Sequence, residues 1–547
     1  MPEWNTTANA DVPYELFFGY RDEAGYSALV DQLVADSVAG RIAAQDPTLW
    51  GPAAESEAAK RLSWVDLPES SRPLVAEIEA LRAELAGNGV DHVVLCGMGG
   101  SSLAPEVITR TAGVPLTVLD SSDPDYVSAA LADRLPATVV VVSSKSGGTV
   151  ETDSQRRAYE QAFDDAGLDP RDRMVVVTDP GSPLDKSARD AGYRVFNADP
   201  GVGGRYSALT AFGLVPSGLA GADLGLLLDE AAAIAPALTA DDPDNPGLRL
   251  GALLGLAATT GVDKVVLADA GSGIVGFGDW VEQLIAESTG KQGKGILPVV
   301  VEGVDAPNFD PNTADEVLVT TGDLVESVRP TSGYGAAVAA PLGAAMLLWE
   351  YAIAVAGHVI GINPFDQPDV ESAKEAARGQ LDESGKSTVP AFTHGAVEVY
   401  ATAGLLPWGA GTVAEAISAL LGYLDGDTGY LAVMAYLDRE RDAGLSGVRP
   451  VLAARTGRPT TFGWGPRFLH STGQFHKGGP AVGVFLQLTG KPLADLAVPG
   501  QPFTFGDFIA AQAIGDGQVL ADHGRPVLRL HLTDRRAGLD SLMEALR

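Results

Sequence analysis

Four consecutive valines, Val139, Val140, Val141 and Val142, run into Ser143-Ser144-Lys145-Ser146-Gly147-Gly148-Thr149, and no other stretch constrains the fold as strongly. A β-branched run without polar alternation reads as a parallel strand buried on both faces, because a strand with one wet face keeps a polar residue at every second position. The run then breaks into a turn of glycines and hydroxyls, and Glu151 follows where a helix should begin. Strand, turn and helix N-terminus in that order make an anion site. Backbone N–H groups point outward, hydroxyls donate, and the helix dipole adds partial positive charge. Lys145 supplies a full charge. Ordinary strand-to-helix turns are also rich in Gly and Ser, but the density of hydroxyls around one lysine favours phosphate binding.

The 547 residues leave room for two or three cores. With 38 Lys+Arg against 71 Asp+Glu, a net charge of −33, nucleic acid and an anionic membrane are poor partners. A phosphate site in such a chain must concentrate its few cations. Cys96 is the single cysteine, which excludes an internal disulfide and a thiolate metal cluster. The first residues lack the basic flank and apolar core of a signal peptide, and the apolar stretch 343–362 is interrupted by Glu350 and His358. A buried helix, no membrane and a cytoplasmic location are the expectations.

Along the chain, residues 1–75 read as an acidic, helical N-terminal segment. From His92 strands and helices alternate, with strands at 93–96, 116–119, 139–142 and 174–177, the pattern of a doubly wound parallel sheet. A second Gly/Ser turn, Gly97-Met98-Gly99-Gly100-Ser101-Ser102, follows the first of these strands. Ligands in such folds sit at the carboxyl ends of strands, so both turns could meet one anion. In Gly203-Gly204-Arg205 the glycines let backbone approach a ligand while the guanidinium reaches it. A second α/β unit begins near Gly251, with strands at 264–268, 296–301 and 317–320. On its helix 277–287, Gln283 and Glu287 are four residues apart and share a face. A carboxylate in a last helical turn feels the negative end of the dipole, which raises its pKa and suits a general base, although a solvated glutamate is the commoner outcome there. Another helix, 339–357, leads to Asp366, a candidate N-cap, with Gln367 and Lys374 two turns apart on one face. Beyond 382 the chain shows a strand-like 451–453, the segment 468–479 and a strand at 527–532.

The motifs GMGGSS, SSKSGGTVET, VGGRYSALTAFGL, AESTGK and NPFDQPDVESAK fall in an order that resembles phosphoglucose isomerase, most closely the isomerase half of bifunctional transaldolase/phosphoglucose isomerase proteins. The resemblance is strongest over residues 90–385. It implies an α/β chain of two doubly wound parallel-sheet SIS (sugar isomerase) domains, with N-terminal helices and a C-terminal α/β extension. The divisions expected are 1–75 for the helical segment, 76–240 for the first SIS domain and 241–385 for the second. Residues 386–547 would complete the second domain and the active site.

Carried over residue by residue, the resemblance implies that Gly100, Ser101, Ser144, Lys145, Ser146 and Thr149 bind the phosphate and that Gln283 and Gln367 position the sugar. Arg205 would stabilise developing negative charge, Glu287 would move the proton between C2 and C1, and Lys374 would act at the ring oxygen. Histidine departs from the family pattern. The interval 291–365, where the family keeps its catalytic histidine, contains only His358, and LHSTGQ stands at 469–474 instead. His470 is the candidate from this relocated segment and His476 the alternative. The implied activity is glucose-6-phosphate isomerase, in glycolysis and gluconeogenesis, with a small sugar phosphate as ligand and no metal or cofactor. A homodimer is implied by the resemblance alone. A dual phosphoglucose/phosphomannose isomerase and a non-catalytic SIS sugar-phosphate sensor are the alternatives. A sensor would need the phosphate cradle but not Glu287, Arg205 and Lys374 together.

Overall fold

The computed structural model describes residues 5–9, 14–323, 333–369, 376, 378, 379, 381 and 389–546. Its strands form three sheets. The first has five parallel strands in the order Thr117–Leu119, His92–Gly97, Thr138–Ser143, Met174–Thr178 and Arg194–Asn197. His92–Gly97 and Thr138–Ser143 are buried along their whole length, as their apolar runs require. The chain leaves His92–Gly97 to one side and returns on the other at Thr138–Ser143, so a topological switch point opens between them. Gly97 pairs with Ser143, and both Gly/Ser turns therefore emerge side by side at that crevice.

The second sheet places Leu297–Val300, Lys264–Ala270, Glu316–Gly322 and Tyr334–Ala339 in parallel. A hairpin, Asn5–Asn9 with Tyr14–Gly19, closes its edge in antiparallel register. Residues 1–75 are thus not helical throughout. Tyr14, Leu16 and Phe18 alternate inward with Glu15 and Phe17 on the other face, a period of two that no helix keeps. Helices Glu23–Ala35 and Arg72–Gly87 follow. The helix Leu342–Ile360 is long and apolar enough to cross a membrane, yet 89% of it is buried within the protein, packed on Leu224–Thr239 and Pro246–Thr259. Glu350 on this helix is wholly enclosed, and burial pushes its carboxyl pKa far up.

Residues 392–546 add no strand to the second sheet; they build a third. Thr460–Trp464, Tyr430–Tyr436, Gly483–Gly490 and Val527–Leu532 run parallel, and Val397–Ala401 with Phe392–His394 close one edge antiparallel. Residues 451–453, strand-like in sequence, lie in the helix Val448–Thr456, which ends on Gly457 in the left-handed conformation. Arginines seat this third unit on the other two. Arg467 meets Glu106 and Asp120, Arg535 meets Asp123, Arg458 meets Asp315, and Arg449 meets Glu302.

Candidate active site

Close backbone approach defines the crevice. A Cβ on Gly100 would stand 1.9 Å from the Gly204 carbonyl oxygen, so the turn after the first strand touches the turn before Arg205. At Gly99, where φ is +57°, a Cβ would lie 2.8 Å from Gln283 Nε2 and 3.0 Å from Cβ of His470. Segments of all three units therefore meet at Gly99.

Glu287 lies in the last turn of the helix Phe277–Thr289 and is 7% exposed. Its Oε2 is 3.2 Å from Nε of Arg205 and accepts from Nε2 of Gln283 at 3.3 Å. Burial raises the pKa of the carboxyl, against the opposing pull of Arg205, His470, Gln283 and Lys291. A base whose proton affinity is raised towards neutrality, yet whose anion keeps a cation beside it, suits repeated proton transfer.

The relocated segment supplies His470 from the short turn Arg467–His470. Its backbone oxygen accepts from Gln283 Nε2 at 2.8 Å, and its Nε2 lies 3.2 Å from Glu151 Oε1. Gln474 ties three motifs together, accepting from the Asp369 backbone N–H at 3.0 Å and donating to the Gly290 carbonyl at 2.9 Å and to Asp369 Oδ2 at 2.7 Å. His476, the alternative, is buried among Tyr430, Phe468 and Phe485, and its ring centroid is 5.3 Å from that of Phe485. Burial pushes its pKa far down, with Lys477 and Arg525 adding to the effect. That is the setting of a core aromatic.

Arg205 is 3% exposed and fully engaged. Besides Glu287 it donates to the carbonyls of Pro364 (3.1 Å) and Asp366 (3.2 Å) and to Oε1 of Gln367. Lys291 anchors the same loop, donating to the Asn363 and Asp366 carbonyls at 2.7 and 2.6 Å and to Asp366 Oδ1 at 2.7 Å. Burial, with Arg205 nearby, brings its pKa down to about 8. Lys374 lies outside the described residues.

In the valine-strand turn the hydroxyls close on the backbone and on each other. Ser144 Oγ accepts from the Gly147 N–H at 3.1 Å and donates to Thr149 Oγ1 at 3.2 Å, and Ser146 Oγ accepts from the Gly148 N–H at 3.2 Å. Thr149 is the N-cap of Val150–Asp165 and makes no side-chain cap, so the first N–H groups of that helix have no capping partner in the Thr149 side chain. Ser101 is partly exposed on the one-turn helix Gly99–Ser101. Lys145 is engaged elsewhere. Its ammonium pairs with Asp179 at 2.8 Å and donates to the Pro200 carbonyl at 3.4 Å.

The sequence marks Glu151 only as the start of a helix and gives Gln512 and Arg467 no role. Arg467 stands three residues before His470, immediately ahead of the segment 468–479. Glu151 and its partners are separated by more than three hundred residues.

Fold and site together define an SIS-type phosphosugar isomerase: a switch-point crevice with a hydroxyl-rich turn, a buried carboxylate paired with arginine, and an imidazole beside them. The family model for phosphoglucose isomerase matches residues 72–294. A glucose-6-phosphate isomerase of Citrifermentans bemidjiense is 30% identical over 388 residues, 58% of this chain and 73% of the relative. A probable glucose-6-phosphate isomerase of Natronomonas pharaonis is 29% identical over 374 residues, 59% of this chain and 86% of the relative. A solved structure of a glucose-6-phosphate isomerase from Chlamydia trachomatis shares the fold, with a TM-score of 0.54 at 20% identity over 70% of this chain and 90% of that one. The chain belongs to the phosphoglucose isomerase family, and with it to the aldose–ketose isomerases.

Proposed function

We propose that this chain interconverts glucose 6-phosphate and fructose 6-phosphate through a cis-enediol(ate), with Glu287 as the proton-transferring base. The observation that carries the reading is the junction of Glu287, Arg205, Gln283 and His470 at one point. The turn 144–149 and Ser101 receive the phosphate dianion, and hydroxyls now bonded to each other turn to it. His470 protonates and deprotonates the sugar ring and its hydroxyl as the ring opens, a task matched to an imidazole near neutral pH. Lys374 assists at the ring oxygen. Glu287 then takes the C2 proton and returns it to C1, while Arg205 holds the negative charge that grows on the enediolate. Gln283 and Gln367 orient the sugar hydroxyls. Every step is a proton transfer or the stabilisation of charge, and each acid–base role is worth roughly 10²–10⁴-fold. The enzyme works on a soluble phosphosugar in the cytoplasm.

A coupled assay of purified protein on fructose 6-phosphate, with a chelator present, tests this reading. Turnover is expected to persist in chelator, and mannose 6-phosphate is expected to turn over far more slowly. Sugar-phosphate binding without turnover would reassign the chain as a sensor.

A further inference from the structure

Glu151 opens the helix Val150–Asp165 and is 7% exposed. Two donors share its Oε1: Nε2 of His470 at 3.2 Å and Nε2 of Gln512 at 2.7 Å. Gln512 comes from the helix Phe505–Asp522 of the third unit and is 3% exposed. Phe508, Ile509 and Ala513 around it on that helix are buried and apolar. A leucine or methionine would fill such a position without an amide to satisfy. Gln512 instead keeps Oε1 buried with no hydrogen-bond partner among the described residues, while its other end is held on Glu151.

An amide can offer a carboxyl group either end. The end offered here is the donor, which pairs with an ionised carboxylate; the acceptor end would demand a protonated one. A donated hydrogen bond favours the anion. An anionic Glu151 in turn fixes the proton of His470 on Nε2 and leaves Nδ1 as the nitrogen that meets substrate.

We propose that Gln512 is a positioning residue for the ring-opening step, acting through Glu151 on the tautomer and orientation of His470. The proposal rests on the reading of His470 as the ring-opening group. It assigns the third unit a second role: the unit that delivers the imidazole also holds the carboxylate that orients it.

The test compares Gln512→Leu, Glu151→Gln, the double variant and His470→Ala on cyclic fructose 6-phosphate. Leucine fills the same volume in an apolar setting, and Gln512→Met serves if Gln512→Leu does not fold. We expect Gln512→Leu to lower kcat about tenfold with KM within about twofold, a fraction of the roughly 10²–10⁴-fold of a full acid–base role. Exchange of the C1 proton in the open-chain fraction should stay near that of the parent. Because Gln512 acts through Glu151, the double variant should be no slower than Glu151→Gln alone. Parent-like kcat in Gln512→Leu, or losses that multiply in the double variant, overturn the proposal. If His470→Ala keeps parent turnover, the reading beneath it falls instead; a slow His470→Ala beside a normal Gln512→Leu sinks this inference alone.

Discussion

Nη1 of Arg467 sits 2.5 Å from Oε2 of Glu106, and this contact fixes the relocated motif on the first unit three residues before His470. The same guanidinium nitrogen reaches Asp120 at 2.9 Å, and Nη2 lies 3.6 Å from Asp279 on the helix that carries Glu287. One side chain of the third unit thus touches carboxylates of both others. Burial alone would raise the Glu106 pKa, but Arg467, Arg439 and Arg110 hold it down to about 2.

Arg467→Met should therefore leave buried carboxylates short of a cation, at a cost of about 3–5 kcal/mol. It should also depress turnover of cyclic substrate by loosening His470. Thermal unfolding and kcat on the same preparation check both. The pH dependence follows in sign. The folded pKa of Glu106 is below its unfolded value, so its contribution to stability is present above pH 4.5 and lost as pH falls towards about 2. In the variant this acid-side loss should be shallower.

His470→Ala should depress turnover of the cyclic sugar strongly, while C2-proton exchange in the open-chain fraction suffers less, since open-chain substrate bypasses ring opening. His476→Ala should lower the melting temperature instead, because it empties part of an aromatic core. A near-normal His470→Ala beside an inactive but folded His476→Ala would reverse the assignment.

Ser144→Ala with Thr149→Ala removes two donors to a charged ligand, each worth about 1.5–3 kcal/mol. KM for the phosphosugar should rise at least tenfold with a smaller change in kcat. An unchanged KM would place the anion at another turn.

Lys291 should set the alkaline limb of activity. Below about pH 8 its ammonium holds the Asn363 and Asp366 carbonyls and the Asp366 carboxylate; above that value it loses the proton. Activity should fall as the loop bearing Gln367 loosens. Stability should not fall with it. Between the folded value of about 8 and the unfolded 10.5 the unfolded chain binds more protons, so this group's contribution to stability rises with pH. A kcat/KM profile of Lys291→Met that kept a limb near pH 8 would assign it to another group.

The first sheet was legible because residues 139–142 and 93–96 are short apolar runs bounded by glycine turns, and those turns carry the ligand chemistry at a switch point. The third sheet was not. Tyr430–Tyr436 is buried on both faces, and a seven-residue apolar run has no period that separates a buried strand from a buried helix segment. Residues 451–453 show the converse, a Val-Leu-Ala run in which Leu452 and Ala453 join Val448 on a buried helical face while Val451 is exposed. Within the site, Gln283 and Glu287 were legible from one helix's spacing. Glu151 and Gln512 were not, because their pairing lies in how the third unit docks and in nothing local to either helix. Lys145 stands apart: its type and place in the turn suit an anion, but a neighbouring acid, Asp179, takes the charge.

The central claim is that Glu287 moves the proton, and turnover of Glu287→Gln set against binding of a non-isomerisable sugar-phosphate inhibitor tests it most directly. Glutamine keeps the shape and the hydrogen bond from Gln283 while removing the base. The account predicts that turnover falls by at least about 10³-fold, within the range of a general base, while inhibitor affinity stays within a few-fold. Glu287→Gln with near-parent turnover would place the base elsewhere and contradict the account.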